Sequence, residues 1–372
     1  MKSRVQARGW TPPRRASVVA LGALGFLAPV AAAGQALPPA SELDQLQAEA
    51  EAAPLFGDTD PLVLEFFVDL EYLKDERPEE EELAAMVRFR WPEGRWADSR
   101  AEIRTRGIFR RESRNCSFPP LRLDLPRGAM EGTVFHGQDK LKLVFPCREG
   151  RSQFQALVLK EYLAYRMLNL VTPASYRVRL VELTVHDTAG DSDPVSGYGF
   201  LIESDEAMAA RNRAVMSEWE EFAPDGMDVE QATLVSLFQF MIGNTDWSPV
   251  YFHNAKLIRD DQGRYLTIAF DFDFSGIVDA PYATPDPGIG IRTVRERSYR
   301  GFCWADADYE GLSRRFTELR PEFEGLWRDM GLLEEGDRNR GLDYLELFYR
   351  IVEEPASYRR QVVERCRRAT YR

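Results

Sequence analysis

Apolar and polar residues alternate with period two through most of the first half of the chain. LVLEFFVDL at 62–70 reads as a strand, RPEEEELAAM interrupts it, and MVRFRW resumes. AEIRTRG, PLRLDLP and DKLKLVFPC follow as short alternating runs bounded by Pro, Gly or Asp, so this half predicts an antiparallel, β-rich layer. The period then changes. SQFQALVLKEYLAYRMLNLV repeats its apolar residues at helical spacing for about five turns, and Thr172–Pro173 closes the helix. YRVRLVELTVHD and SGYGFLIES return to strand. From Glu206 the character is helical, with VEQATLVSLFQFMIG as an apolar helix. YLTIAFDFDF reads as a strand, and amphipathic helix dominates beyond Asp306. No internal repeat is visible.

The first 36 residues stand apart from this pattern. Lys2, Arg4, Arg8, Arg14 and Arg15 precede an apolar run from Val18 to Val30 and the small-residue string AAAGQA, which reads as a secretory signal peptide cleaved after Ala33 or Ala36. That run is too short to anchor the chain across a bilayer. Arg14–Arg15 raises a twin-arginine signal, but ASVV after it fits that pattern poorly. Losing five cations moves the formal charge from −12 to −17, which argues against nucleic acid or an anionic membrane as a bulk-charge partner. An exported chain makes the four cysteines candidate disulfides; the simplest pairing by region is Cys116–Cys147 and Cys303–Cys366, one of three possible connectivities. The three histidines, His136, His186 and His253, are too few for a histidine-rich metal site.

Strands, one long helix, two more strands and a helical half suggest an α+β chain with a two-lobed, protein-kinase-like layout. Residues 37–60 would be a linker, 61–205 a β-rich N-lobe with one long helix, and 206–372 a helical C-lobe. The residue types needed for phosphoryl transfer occur in order. Asp246 in GNTDWSPVYFHN lies just past an apolar helix, where a base would sit, and Asn254 follows eight residues on; NTD is also an ordinary turn former. In IAFDFDFSG, strand alternation puts Asp271 and Asp273 on one face and Phe270, Phe272 and Phe274 on the other. Two close carboxylates and an amide suit Mg²⁺ or Mn²⁺. Lys140 and Lys142 share a strand face, and Glu161 on the next helix is placed to clamp Lys142. Arg106, in RTRG before the basic loop FRRESRN, is suited to phosphate. Glu203 ends a strand as a structural residue.

RTRG followed by PPLRLDL resembles the RxRG…K-P-x-x-L-x-F opening of the CotH-type spore-coat kinases. GYGFLIES resembles that family's G-x-Y-x-L-x-E strand, and GNTDWSPVYFHNAKLI…LTIAFDFDFSG its aspartate loop and metal-binding strand. The resemblance spans about Glu102 to Gly276. It implies a secreted, atypical kinase using ATP and Mg²⁺ or Mn²⁺ on a protein Ser or Thr, with Asp246 as the catalytic aspartate and Asp271 or Asp273 on the metal. Ile108 and Phe109 replace the family's small polar residues, and PPLR at 119–122 lacks its lysine. The functional expectation is an exported phosphotransferase acting on a protein or glycan hydroxyl. The alternative is a non-catalytic, pseudokinase-like cell-envelope protein that binds a protein or glycan.

Overall fold

The computed structural model describes residues 36–368 apart from 92, 93, 127 and 129. All but the last residue of the expected signal peptide lies outside the described residues. The expected linker holds helix α1 (Ala40–Ala52) and a short 3-10 turn, Pro54–Phe56.

Seven strands follow the alternation read from the sequence. They are β1 (Leu62–Val68), β2 (Leu83–Arg90), β3 (Trp96–Thr105), β4 (Leu121–Asp124), β5 (Lys140–Val144), β6 (Val178–Asp187) and β7 (Val195–Ile202). Helix α2 (Leu70–Asp75) separates β1 from β2, and α3 (Ser152–Val171) separates β5 from β6. β2 starts three residues earlier than MVRFRW suggested, because LAAM pairs with β3.

The strands close into a barrel in the order β1-β2-β3-β4-β5-β7-β6. Leu64, Phe66, Val87, Phe89, Ile103, Leu123, Leu141, Leu183 and Leu201 fill its interior. The closing contact is parallel: Leu62 to Val68 of β1 lie beside Val181 to Asp187 of β6. Phe200, Ile202, Val178 and Leu180 face outward and join a second core with α3. This is why the start of β6 and the end of β7 are buried on both faces.

The second half contains α4 (Asp205–Arg211), β8 (Ala214–Met216), α5 (Val229–Ile242), β9 (Ala255–Asp260) and β10 (Tyr265–Ala269). Beyond these come α6 (Tyr309–Glu318), α7 (Arg320–Arg328), α8 (Glu335–Val352) and α9 (Pro355–Gln361). β8, β9 and β10 form an antiparallel sheet in the order β10-β9-β8. Every residue of α5 from Gln231 to Ile242 is buried, so it is a central helix with no solvent face.

The expected two-lobed, protein-kinase-like layout is therefore corrected. The chain forms a closed, mixed seven-stranded barrel with helices and a small separate sheet, and the described residues form one compact unit. Alternation reports which face of a strand is apolar; it does not report which strand lies alongside. The β1–β6 pairing joins residues about 120 positions apart and leaves no local trace in either strand. Two disulfides are present, Cys116–Cys147 and Cys303–Cys366, matching the simplest pairing.

Candidate active site

The loop after α5 brings its polar residues together by turn chemistry. Gly243 ends the helix with φ +68°, and a Cβ there would overlap the Tyr344 hydroxyl, so glycine is required twice over. Asn244 is buried, and its Oδ1 accepts from Asp246 N–H at 2.9 Å. The turn-forming reading of NTD is thus compatible with the chemical one, because the Asx turn fixes Asp246. Ser248 and His253 then exchange backbone hydrogen bonds at 2.8 and 3.1 Å, closing the loop. Closure puts the His253 imidazole Nε2 2.8 Å from Asp246 Oδ1. Asn254 Nδ2 donates to the Asp246 carbonyl at 2.8 Å and to Oδ2 at 3.1 Å. With its nitrogen committed, the Asn254 amide oxygen is the end left for a ligand.

The IAFDFDFSG expectation needs correcting. β10 stops at Ala269, and Asp271 has φ +62°, outside the strand region. Its N–H donates to the Tyr165 hydroxyl of α3 at 2.9 Å. The three phenylalanines consequently point to different neighbours: Phe270 to Tyr176, Phe272 to Tyr165 and Phe238, and Phe274 to Phe109 and Tyr282. The two carboxylates still lie close enough to hydrogen-bond each other. Asp273 is buried and accepts from the Tyr282 hydroxyl at 3.1 Å. Burial first, and then the neighbouring Asp271, push its pKa up to about 7.

The backbone also places Asn254 next to this pair. Ala255 pairs with Ala269 at the end of the β9–β10 ladder, and Phe270 N–H donates to the Asn254 carbonyl at 3.2 Å. Asn254 and the Asp271–Asp273 segment therefore leave the same end of one ladder.

Glu161 does not clamp Lys142. Arg110 of the FRRESRN loop takes that place, with Nη1 3.5 Å from Glu161 and 3.8 Å from Asp273. Glu161 is buried, and burial followed by Asp273 raises its pKa well above the usual carboxylate range. Arg106 faces the same group, with Asp271, Tyr165, Arg110 and Glu161 as its electrostatic neighbours. The Nε atoms of Arg106 and Arg110 are both buried without a hydrogen-bond partner.

Lys142 is instead 3.1 Å from Asp205, the first residue of α4, which Lys256 and the Tyr176 hydroxyl also approach. Burial lowers the Lys142 pKa to about 8 against the pull of Asp205, and Lys256 and Arg106 act in the same direction as burial. Lys142 thus borders the acidic site, while Lys140 pairs with Asp124 at 3.2 Å on the exposed part of the strand. Glu203 is buried in a two-pronged ion pair with Arg211, the structural role expected for it.

No protein-family model and no curated protein matches this chain. The CotH-type resemblance rests on its own motifs. Arg110, His253, Tyr165, Tyr282, Asp205 and Lys256 are functional candidates that sequence reasoning did not single out. His253 adjoins Asn254 in the stretch already quoted, and Arg110 lies in a loop flagged only for its charge. The other four carry no sequence signal.

The donor set suits a small hard cation that takes its remaining ligands from water and phosphate: two carboxylates and one amide oxygen. Among the described residues no three His, Cys, Asp or Glu side chains converge as a ready-made metal cage. Any such cation would therefore depend on a phosphate partner.

The Cys116–Cys147 disulfide ties the loop bearing Arg110 to the end of β5, beside a Phe118 N–H to Cys147 carbonyl bond of 3.2 Å. Replacing both cysteines with serine is expected to cost ~2–4 kcal/mol in urea unfolding, by freeing a loop in the unfolded chain and loosening this one in the folded state. A loss below ~0.5 kcal/mol would show that the loop is held by other contacts.

Proposed function

We propose that the chain is an exported phosphotransferase that moves the γ-phosphate of ATP to a protein or glycan hydroxyl. The observation that carries this reading is Arg110 set between Glu161 and Asp273, with Arg106 and Asp271 as electrostatic neighbours, beside an Asn254 oriented by Asp246. Asp271, Asp273 and the Asn254 oxygen would hold Mg²⁺ or Mn²⁺, which supplies charge neutralisation for the phosphates. Arg106 and Arg110 bring guanidinium groups with unpartnered nitrogens to the phosphate oxygens, and Lys142 adds a cation at the edge. Asp246, half-exposed and braced by His253 and Asn254, accepts the proton of the attacking hydroxyl. Export is supported by the sequence pattern of the first 36 residues and by the two disulfides. Among the described residues no helix is long and apolar enough to cross a membrane.

The second reading, a non-catalytic envelope binding protein, draws support from Lys142. That cation is engaged by Asp205, and among the described residues no strand lysine pairs with Glu161.

One experiment separates the two. Saturating ATP with Mn²⁺ is expected to raise the melting temperature by ~5 °C or more, as ~2–3 kcal/mol of ligand stabilisation would. Asp271→Ala with Asp273→Ala should erase the shift, and its persistence would sink the site assignment. Transfer of labelled γ-phosphate to the protein itself should fall ~100-fold or more in Asp246→Ala. A melting shift with no transfer in the unmutated protein selects the binding reading.

A further inference from the structure

The inner face of the barrel ends in a charged residue. Val181, Leu183 and Val185 of β6 belong to the barrel core, and alternation puts Arg179 on the same face, opposite the core residue Leu201 of β7. Arg179 is only 4 % exposed. Its Nη2 donates to Asp58 Oδ2 at 2.9 Å, while Nε and Nη1 are buried without any hydrogen-bond partner. The Asp58 side chain is itself 50 % exposed, on the segment leading into β1. A guanidinium withdrawn from water against one half-solvated carboxylate is poorly compensated.

Beside Arg179 a cavity of about 1060 Å³ opens at the mouth of the barrel. Segment 58–63, the end of β2 and the loop at 131–136 form its walls. Leu62, Val63, Trp91 and Val134 give it an apolar lining, and the Trp91 indole Nε1 is another buried donor without a partner. The barrel interior is filled by side chains, so this space lies at its open end. Asp58, Asp60 and Glu131 outnumber Arg90 and Arg179 around the cavity, so its walls carry no surplus of positive charge for a multiply charged anion such as phosphate.

We infer that the barrel mouth is a binding site for a small monocarboxylate with an apolar body. Its carboxylate displaces Asp58 and takes one fork of the Arg179 guanidinium, since each fork joins Nη2 to one of the unpartnered nitrogens. The apolar body lies against Leu62, Trp91 and Val134. The site is separate in its residues from Asp246, Asp271 and Asp273 and does not rest on the phosphotransferase reading.

Calorimetric titration of the whole purified chain with decanoate, decan-1-ol and inorganic phosphate tests it. Decanoate is expected to bind one to one, with decanol and phosphate at least tenfold weaker. Asp58→Asn removes the internal competitor for Arg179 and should tighten decanoate on the order of tenfold. Arg179→Met should abolish binding. Val134→Trp, which obstructs the apolar wall against which the ligand body lies and keeps Arg179, should weaken binding at least tenfold, so the test survives if Arg179→Met does not fold. The assignment is overturned if neither the unmutated chain nor Asp58→Asn binds decanoate. It is equally overturned if decanol or phosphate binds as tightly, or if Val134→Trp leaves the affinity unchanged.

Discussion

Glu203→Gln is expected to destabilise the protein by ~3–5 kcal/mol, the usual cost of breaking a buried ion pair from one side. Glu203 is 1 % exposed and Arg211 7 %, and the two join through bonds of 2.7 and 2.8 Å. Glu203 Oε2 also accepts from the Arg177 N–H at 2.9 Å, while Arg211 Nη2 donates to the Ser175 carbonyl at 2.7 Å. The pair thereby links the start of β6, the end of β7 and helix α4. Glutamine preserves the shape and leaves the Arg211 charge buried without its counter-charge. Replacing both partners, as Glu203→Leu with Arg211→Met, removes the stranded charge and should recover more than half of the loss. Urea unfolding of the three variants measures this. A single-variant loss under ~1 kcal/mol would falsify the view that this pair holds the barrel to α4.

The opposite sign is expected at the candidate site. Asp273→Asn should raise the stability of the metal-free protein at pH 8 by ~2 kcal/mol, or about 4–8 °C in melting temperature. The direction follows from linkage. Asp273 has a folded-state pKa near 7, raised from the ordinary 3.8 by burial and by Asp271. Between these values the folded chain holds a proton that the unfolded chain has released. Stability is therefore full below about pH 4 and falls as the pH climbs through 7. Asparagine has no charge to bury, so the gain should appear at pH 8 and shrink towards zero at pH 4. Some is returned through the lost contacts with Arg110 and the Tyr282 hydroxyl. The same variant should lose the melting shift with ATP and Mn²⁺, because the crowded carboxylates that strain the fold are those that would receive the cation. A variant less stable than the unmutated chain at pH 8 overturns this account.

Much of the site was legible because its signals are local. GNTD after an apolar helix and the DFD repeat depend on residues within a turn of one another; Asp246 meets Asn254, and the Asn254 backbone adjoins the start of the Asp271–Asp273 segment. The error over the phenylalanines has a single cause. Asp271 takes a left-handed backbone, stabilised by the Tyr165 hydroxyl from 106 residues away, and one such residue ends strand alternation. The clamp on Glu161 was misassigned for a related reason. Lys142 stands on a strand as expected, but Asp205 at the start of α4 claims it, and the Cys116–Cys147 tether helps bring Arg110 over α3 instead.

By itself the sequence determined the apolar faces of the strands, the limits of α3 and α5, the turn chemistry around Asp246 and the simplest cysteine pairing. Each of these follows from spacing within a single segment or from proximity along the chain. Only the tertiary structure decided that β1 lies parallel to β6 and closes the barrel, that Arg110 meets Glu161, and that Arg179 ends the barrel's inner face beside a cavity. Those contacts join residues tens to more than a hundred positions apart. Their free energy comes from burial and charge pairing between segments, which neither segment encodes alone.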